Sequence, residues 1–403
     1  MDLGTHIALV TTFTLGSSLA AAQHEDLLYV LQPDTITVQQ LADSDVDWLI
    51  LEPTKHGDMA SSFTAEEIEQ IRSGGNCPKK ILAYLSVGEA ESYRDYFNAS
   101  WLDANDNPIP GVAPDWLGST NPDWEGNYKV RYWMSDWQHL IVGTDAGPHN
   151  SPYDAIIDAG FDGVYLDIID AYHYWSSPDG IVERSRAQAR SEMIDFVEEI
   201  AHHARVVRGV SDFMVFPQGG ADIIRNDDDQ LDQETAEYFT AISGIGREDV
   251  WFDELSPQLA GETQYTLDQL HEYQSNGEVI LITDYLVDRS NQSPANNNAR
   301  AQAFRDQITS EGFIGYAAYN DRALDAIVSF TGPGWSTSQP EPGCATLPCP
   351  ADLNGDGVLN FFDVSAFLTA FNTQQPAADF TNDGLYNFFD ISAFLSAFNA
   401  GCP

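Results

Sequence analysis

Between residues 23 and 331, short runs that are almost wholly apolar alternate with longer stretches in which apolar positions recur every three or four residues. Short runs of this kind suit strands buried on both faces, and the longer periodicity suits amphipathic helices that cover them. Eight such runs follow in order: "LLYVLQ" (27–32), "DWLILE" (47–52), "KILAYLSVGE" (80–89), "GFDGVYLD" (160–167), "DFMVFPQ" (212–218), "FTAISGIGRE" (239–248), "EVILITD" (278–284) and "GFIGYAAYN" (312–320). Between the fourth and fifth, Met193, Phe196, Val197, Ile200 and Ala204 keep helical spacing, as a crossover between parallel strands requires. The repeated strand–helix alternation predicts an α/β fold, a (β/α)8 TIM barrel over residues 23–331.

Every run closes on a polar residue: Gln32, Glu52, Glu89, Asp167, Gln218, Glu248, Asp284 and Asn320. In such a barrel these are the C-terminal strand ends, where active sites are built. Any one of them is explained as well by a helix cap or a loop contact; eight converging on one rim describe a carboxylate-rich mouth. The stretch "GFDGVYLDIIDAYHYW" (160–175) makes the point sharply, because Asp167 and Asp170 follow the buried-strand residues Val164, Tyr165 and Leu166. A carboxylate at the edge of a core is costly unless it is paired, hydrogen-bonded or functional. Acids without a Cys or His cluster of metal spacing suit acetal cleavage, which needs two carboxyl groups and no cofactor.

Five tryptophans, Trp101, Trp116, Trp124, Trp133 and Trp137, fall in the long segment between the third and fourth runs, and Tyr172, His173, Tyr174 and Trp175 follow the fourth. Rings on loops around a cleft can stack on sugar faces; equally, they can form a second hydrophobic cluster under a long loop.

The end of the chain has a different organisation. "ADLNGDGVLNFFDVSAFLTAFN" (351–372) and "ADFTNDGLYNFFDISAFLSAFN" (378–399) are offset by 27 residues and identical at 15 of 22 positions. Asp352, Asn354, Asp356, Val358, Asn360 and Asp363 occupy positions 1, 3, 5, 7, 9 and 12 of a calcium loop, with Val358 offering its carbonyl, and Asp379, Thr381, Asp383, Leu385, Asn387 and Asp390 repeat them. Two Ca²⁺ sites are therefore expected. A single helix follows each loop, so residues 350–403 resemble a type I dockerin, a small all-α module, and the resemblance implies anchoring to a cohesin-like partner. Thr381 departs from the Asp or Asn usual at its position. Residues 332–349, "GPGWSTSQPEPGCATLPC", read as a linker.

Charge narrows the partners. With 62 acidic against 18 basic residues and a formal charge of −44, nucleic acid and anionic membrane surfaces are repelled. An acidic coat for a salty exterior and attraction of a cationic substrate both fit. Residues 1–22, ending Ala20-Ala21-Ala22, read as a secretory signal lacking the usual basic start, and no other run is long enough to span a bilayer. A secreted protein follows, anchored outside the cell if the dockerin reading holds. Cys77, Cys344, Cys349 and Cys402 suit an oxidising compartment and allow three pairings; three of the four flank the C-terminal segment, where a local clasp such as Cys349–Cys402 is one candidate, with Cys77 a candidate free thiol.

The motifs "AYLSVGEAESYRDYF", "GFDGVYLDIID", "GIGREDVWF", "ITDYL" and "GFIGYAAYNDRALD", in this order, resemble glycoside hydrolase family 114, the endo-α-1,4-polygalactosaminidases, over most of residues 27–330. The family's catalytic pair falls on Asp167 and Glu248, with Asp167 as nucleophile or electrostatic stabiliser and Glu248 as general acid/base; Glu254 is a rival for Glu248 if the sixth strand ends later. Ser243 stands where Asp is common, and Gly219 where Asn is frequent. Substrate-binding roles are expected for Glu52, Glu89, Trp133, Asp170, Tyr172, Gln218, Asp284, Tyr285 and Asn320. The implied substrate is an α-linked, galactosamine-containing polysaccharide, cationic where deacetylated. A non-catalytic carbohydrate-binding barrel and a scaffold component remain as rival readings.

Overall fold

The computed structural model describes residues 25–76, 78–144, 146–147, 149–290, 294–330, 337–340, 351–353, 359–381 and 385–400. The expected signal (1–22) and all four cysteines lie outside them. Residues 24–344 form one compact unit and 345–403 belong to another.

In the first unit, eight parallel strands appear where the apolar runs predict them: β1 (Leu27–Val30), β2 (Trp48–Leu51), β3 (Lys80–Ser86), β4 (Gly163–Asp167), β5 (Met214–Pro217), β6 (Gly244–Glu248), β7 (Val279–Val287) and β8 (Ile314–Tyr319). They pair in sequence from β1 to β5 and from β6 to β8. Two parallel bridges, Gln218 with Gly246 and Asp26 with Gly315, join these halves into a closed ring. Closure removes both sheet edges and turns alternate side chains into a packed interior. Tyr165 and Gly246 both face that interior: a Cβ on Gly246 would stand 2.0 Å from the Tyr165 hydroxyl, so the glycine makes room for the ring.

The crossover helix spans Arg186–His202, capped by the Ser185 side chain on the Gln188 N–H. Met193, Phe196, Val197, Ile200 and Ala204 are all buried in the core, as their spacing predicts. The sixth run overreaches, since its first residues, Phe239–Ala241, finish a helix (Gln233–Ala241). The third run is interrupted. β3 stops at Ser86, and Glu89–Glu91 then opens a separate antiparallel sheet with Asn127–Val130 and Leu117–Thr120. Gly88 makes the transition, because a Cβ there would come within 2.2 Å of the Ile168 carbonyl. Glu89 is thus the first residue of this inserted sheet instead of the last of a barrel strand.

At the other end, Gln339 lies in sequence expected to be linker, yet it is buried against β8: its amide donates to the carbonyls of Ala317 (3.0 Å) and Val328 (2.9 Å) and accepts from the Ala317 N–H (2.9 Å). Beside it, Arg305 donates to Asp26 at 2.6 Å across the β1–β8 seam.

In the second unit, helices Phe361–Asn372 and Phe388–Ala400 carry the two sequence repeats. Phe367 and Phe394, equivalent by the 27-residue offset, stack with centroids 4.0 Å apart and planes within 2°. Ala351 and Ala378, also equivalent, complete the buried centre. A core assembled from matching positions of two repeats has no counterpart within either repeat alone.

Candidate active site

The C-terminal ends of the barrel strands open into a cleft of about 620 Å³. Asp167 and Glu248 both line it, from β4 and β6, with β5 between them. Their side chains follow from strand parity: Tyr165 and Gly246 face the interior, so the residues two further along, Asp167 and Glu248, face it too.

Each carboxyl has its own tyrosine. Tyr84, inward on β3, donates to Asp167 Oδ2 at 2.7 Å, and Tyr285, from β7, donates to Glu248 Oε1 at 2.9 Å. Asp167 Oδ1 accepts from the N–H of Ile168 at 2.8 Å, and Ile168 holds φ of 61°, a strained value for a β-branched residue. Burial, opposed by the Tyr84 bond and reinforced by the charge of Glu248, pushes the Asp167 carboxyl up to about 7. Glu248 is pushed up to about 7 as well, by burial first and by the neighbouring Asp249 charge, against the Tyr285 bond and Arg322. Burial likewise raises the Tyr84 and Tyr285 phenols well above their ordinary range, so both remain donors. Two carboxyls with elevated proton affinity in one cleft can provide one acid and one base near neutral pH.

The remaining expected residues divide. Glu52, Glu89, Asp170, Gln218 and Tyr285 line the same cleft. The Glu52 carboxylate, however, is held bidentate by Arg94 (2.6 and 2.9 Å), which also pairs with Glu91 (2.7 Å), while the fully buried Glu89 is engaged by Lys129 (2.5 Å), Asn121 and Asn127. These two carboxylates brace the wall. Asp170 is exposed at the rim.

Four expected ligands are not brought to the cleft. Asp284 lies between the inward Thr283 and Tyr285, and its carboxylate instead accepts from the N–H groups of Val250, Trp251 and Phe252 at 2.8–3.0 Å, ordering the loop after β6. Tyr172 is fully buried and donates to Asp222 at 2.7 Å. Asn320 accepts from the Arg289 N–H at 3.2 Å. Trp133 packs edge-on against Trp175 at 5.3 Å, under the Arg184 guanidinium. Trp101, Trp116 and Trp137 also pack on one another, leaving Trp124, 55% exposed, as the tryptophan of that group that lines the cleft. Glu254 is exposed at the turn of a short hairpin (Phe252–Pro257) and does not line the cleft.

Tyr84, Tyr29 and Arg322 line the cleft, and Arg94 braces its wall through Glu52 and Glu91, without having been singled out from sequence. The tyrosines carried a usable signal: Tyr29, Tyr84 and Tyr165 each occupy an inward position near the end of a strand. Among the described residues, one group has metal-binding proximity, His149, Asp154 and His203, and it lies away from the cleft. There, Asp154 Oδ1 is already engaged by His203 (2.9 Å) and accepts from Arg208 (2.5 Å), whose guanidinium matches its charge.

A closed parallel barrel with a carboxylate-lined mouth is the architecture of a large class of glycoside hydrolases. Comparison with known proteins gives the family: residues 42–333 match the model of glycoside-hydrolase family GH114, and the chain belongs to that family. An uncharacterized protein of Methanocaldococcus jannaschii is 31% identical over 300 residues, 74% of this chain and 78% of that one. Another uncharacterized protein, from Thermotoga maritima, is 32% identical over 288 residues, covering 72% and 79%. The glycoside hydrolase domain of PelA from Pseudomonas aeruginosa has the same fold, with a TM-score of 0.51 at 17% identity over 75% of this chain and 96% of that one.

Proposed function

We propose that the protein is a secreted hydrolase that cleaves α-linked, galactosamine-containing polysaccharide, using Asp167 and Glu248. The observation that carries this reading is the pair itself: two carboxyls in one cleft, each hydrogen-bonded to its own tyrosine and each holding its proton up to about 7. Such a pair is singly protonated near neutrality, since ionising one member disfavours ionising the other. In the productive form Glu248 carries the proton and delivers it to the leaving glycosidic oxygen, while ionised Asp167 attacks or stabilises the anomeric carbon. Exposed Asp170 and Glu125 at the rim supply negative charge where an amino sugar's ammonium group would lie. Trp124 and Tyr93, both more than half exposed, offer rings for stacking. The reading is tested by incubating the full chain with a panel of glycans including α-1,4-linked galactosamine polymers. New reducing ends from the galactosamine polymer are expected, and activity confined to neutral glycans would reassign the substrate.

For the C-terminal unit we infer a dockerin-like, calcium-binding role in anchoring. Asp363 and Asp390 are fully buried, and residues 351–403 contain no Lys, Arg or His. Bound Ca²⁺ would supply the positive charge this segment lacks and order its loops. Asp352, Asn360, Asp363, Asp379, Thr381, Leu385, Asn387 and Asp390 would hold it; Asn354, Asp356, Val358 and Asp383 of the expected set lie outside the described residues. Phe361 and Phe362, with their equivalents Phe388 and Phe389, are about 70% exposed, an apolar surface suited to a cohesin-like partner.

A further inference from the structure

The loop that follows β8 places one cation at the acid side of the cleft. Arg322 Nη2 donates to both oxygens of Asp249 at 2.7 Å, and Nη1 stands 4.0 Å from Glu248 Oε2. The same guanidinium lies 4.2 Å from the centroid of the Tyr285 ring, whose hydroxyl holds Glu248. Both ends of the ion pair sit on strained backbone, with φ of 55° at Arg322 and 56° at Asp249. Non-glycine residues keep such angles only where their surroundings impose them, and such strain gathers at functional sites. Two residues on, the Leu324 carbonyl accepts from the N–H groups of Leu31 and Gln32, so the loop is tied to the end of the neighbouring first strand.

We propose that Arg322 is a positioning residue that tunes Glu248 as the acid, by holding the Asp249 charge away from it and fixing the tyrosine that binds it. The proposal rests on the reading of Glu248 as general acid. Other groups also face Glu248: Asp167 and Tyr165 from β4, Tyr29 from β1, Tyr285 from β7, and Arg247 on its own strand. Apart from Tyr285, which Arg322 itself holds, these groups are common to wild type and variant, and a loosened Tyr285 bond would raise proton binding at Glu248 in the same direction as the lost cation, so the effect of Arg322 is separable. Removing its charge both withdraws a cation from Glu248 and releases Asp249, and each change strengthens proton binding at Glu248. Removing Asp249 does the reverse.

The experiment measures kcat/KM against pH on whichever polymer the wild type cleaves. Arg322→Met should move the alkaline limb up by about one pH unit, and Asp249→Asn should move it down. The double variant Arg322→Met/Asp249→Asn should fall between the singles, and Arg322→Lys should stay near wild type. If Arg322→Met is too slow to assay, the Glu248 carboxyl is titrated directly by 13C NMR, with its resonance assigned from Glu248→Gln. If Arg322→Met does not fold, Asp249→Asn decides alone by its downward shift. A purely structural role would lower kcat and leave the limb where it was, and an unmoved limb or carboxyl titration overturns the proposal. Failure of the underlying reading looks different: Glu248→Gln would then retain wild-type turnover.

Discussion

Asp167 and Glu248 keep their protons at pH values where exposed carboxyls have lost them, and that property has separate consequences for rate and stability. Asp167→Asn and Glu248→Gln preserve shape while removing the acid or the negative charge, so each should cut turnover by orders of magnitude and leave the circular dichroism spectrum unchanged. For stability the sign is opposite. Glu248 ionises near 7 in the folded protein against an ordinary 4.5, so the stability it contributes is complete below about 4.5 and lost as pH rises through 7. Glu248→Gln cannot ionise; in urea titrations it should match the wild type at pH 4 and exceed it by up to about 3 kcal/mol at pH 8. An advantage that fails to grow over this interval would count against burial as the source of the elevated proton affinity. At this scale the sequence was partly legible. Asp167 and Glu248 follow from apolar strands ending in acids, whereas Asp284 misleads because it is one residue out of the inward parity kept by Thr283 and Tyr285. Arg322 could not be found by strand pattern at all, since it acts from a loop.

Among the elements, the eight strands were readable because burial on both faces leaves continuous apolar runs, although the end of the helix Gln233–Ala241 extended the sixth run. The insertion after β3 was not, because Val87 and Gly88 prolong the apolar run while the backbone departs to another sheet. Nor could the ring cluster be sorted: a tryptophan packed on tryptophans and one open to a cleft are the same letter, and only packing separates Trp133 from Trp124. Arg94 joins the insertion to the barrel through Glu91 and Glu52, both at most 5% exposed. Arg94→Met would strand two buried carboxylates and should cost about 3–5 kcal/mol, read as a fall in the denaturation midpoint. A loss below about 1 kcal/mol would mean that water reaches Glu52 and Glu91 and the brace is weak.

For the whole molecule, the two compact units should respond to different insults. Chelation should abolish hydrogen-exchange protection in helices 361–372 and 388–400 while the barrel keeps its own; unchanged protection would remove the case for calcium. A chain ended at residue 344 should retain the barrel's melting temperature, whereas one ended at 331 loses Gln339 and its three buried hydrogen bonds and should melt roughly 5 °C lower. Equal melting of the two truncations would show that this strap is dispensable.

The seam it secures also sets an order of events during synthesis. β1 leaves the ribosome first, but its partner β8, the Arg305 that reaches Asp26, and Gln339 all emerge near the end of the first unit. Until then, β1 and the most recently made strand both present open edges, and the ring cannot lock in stages. A stalled or clipped chain is therefore an open sheet able to pair with its neighbours, the form that aggregates and that proteases clear. If the chain is exported as proposed, this late closure has a use: a nascent barrel that cannot complete itself remains threadable until its last strand has been delivered.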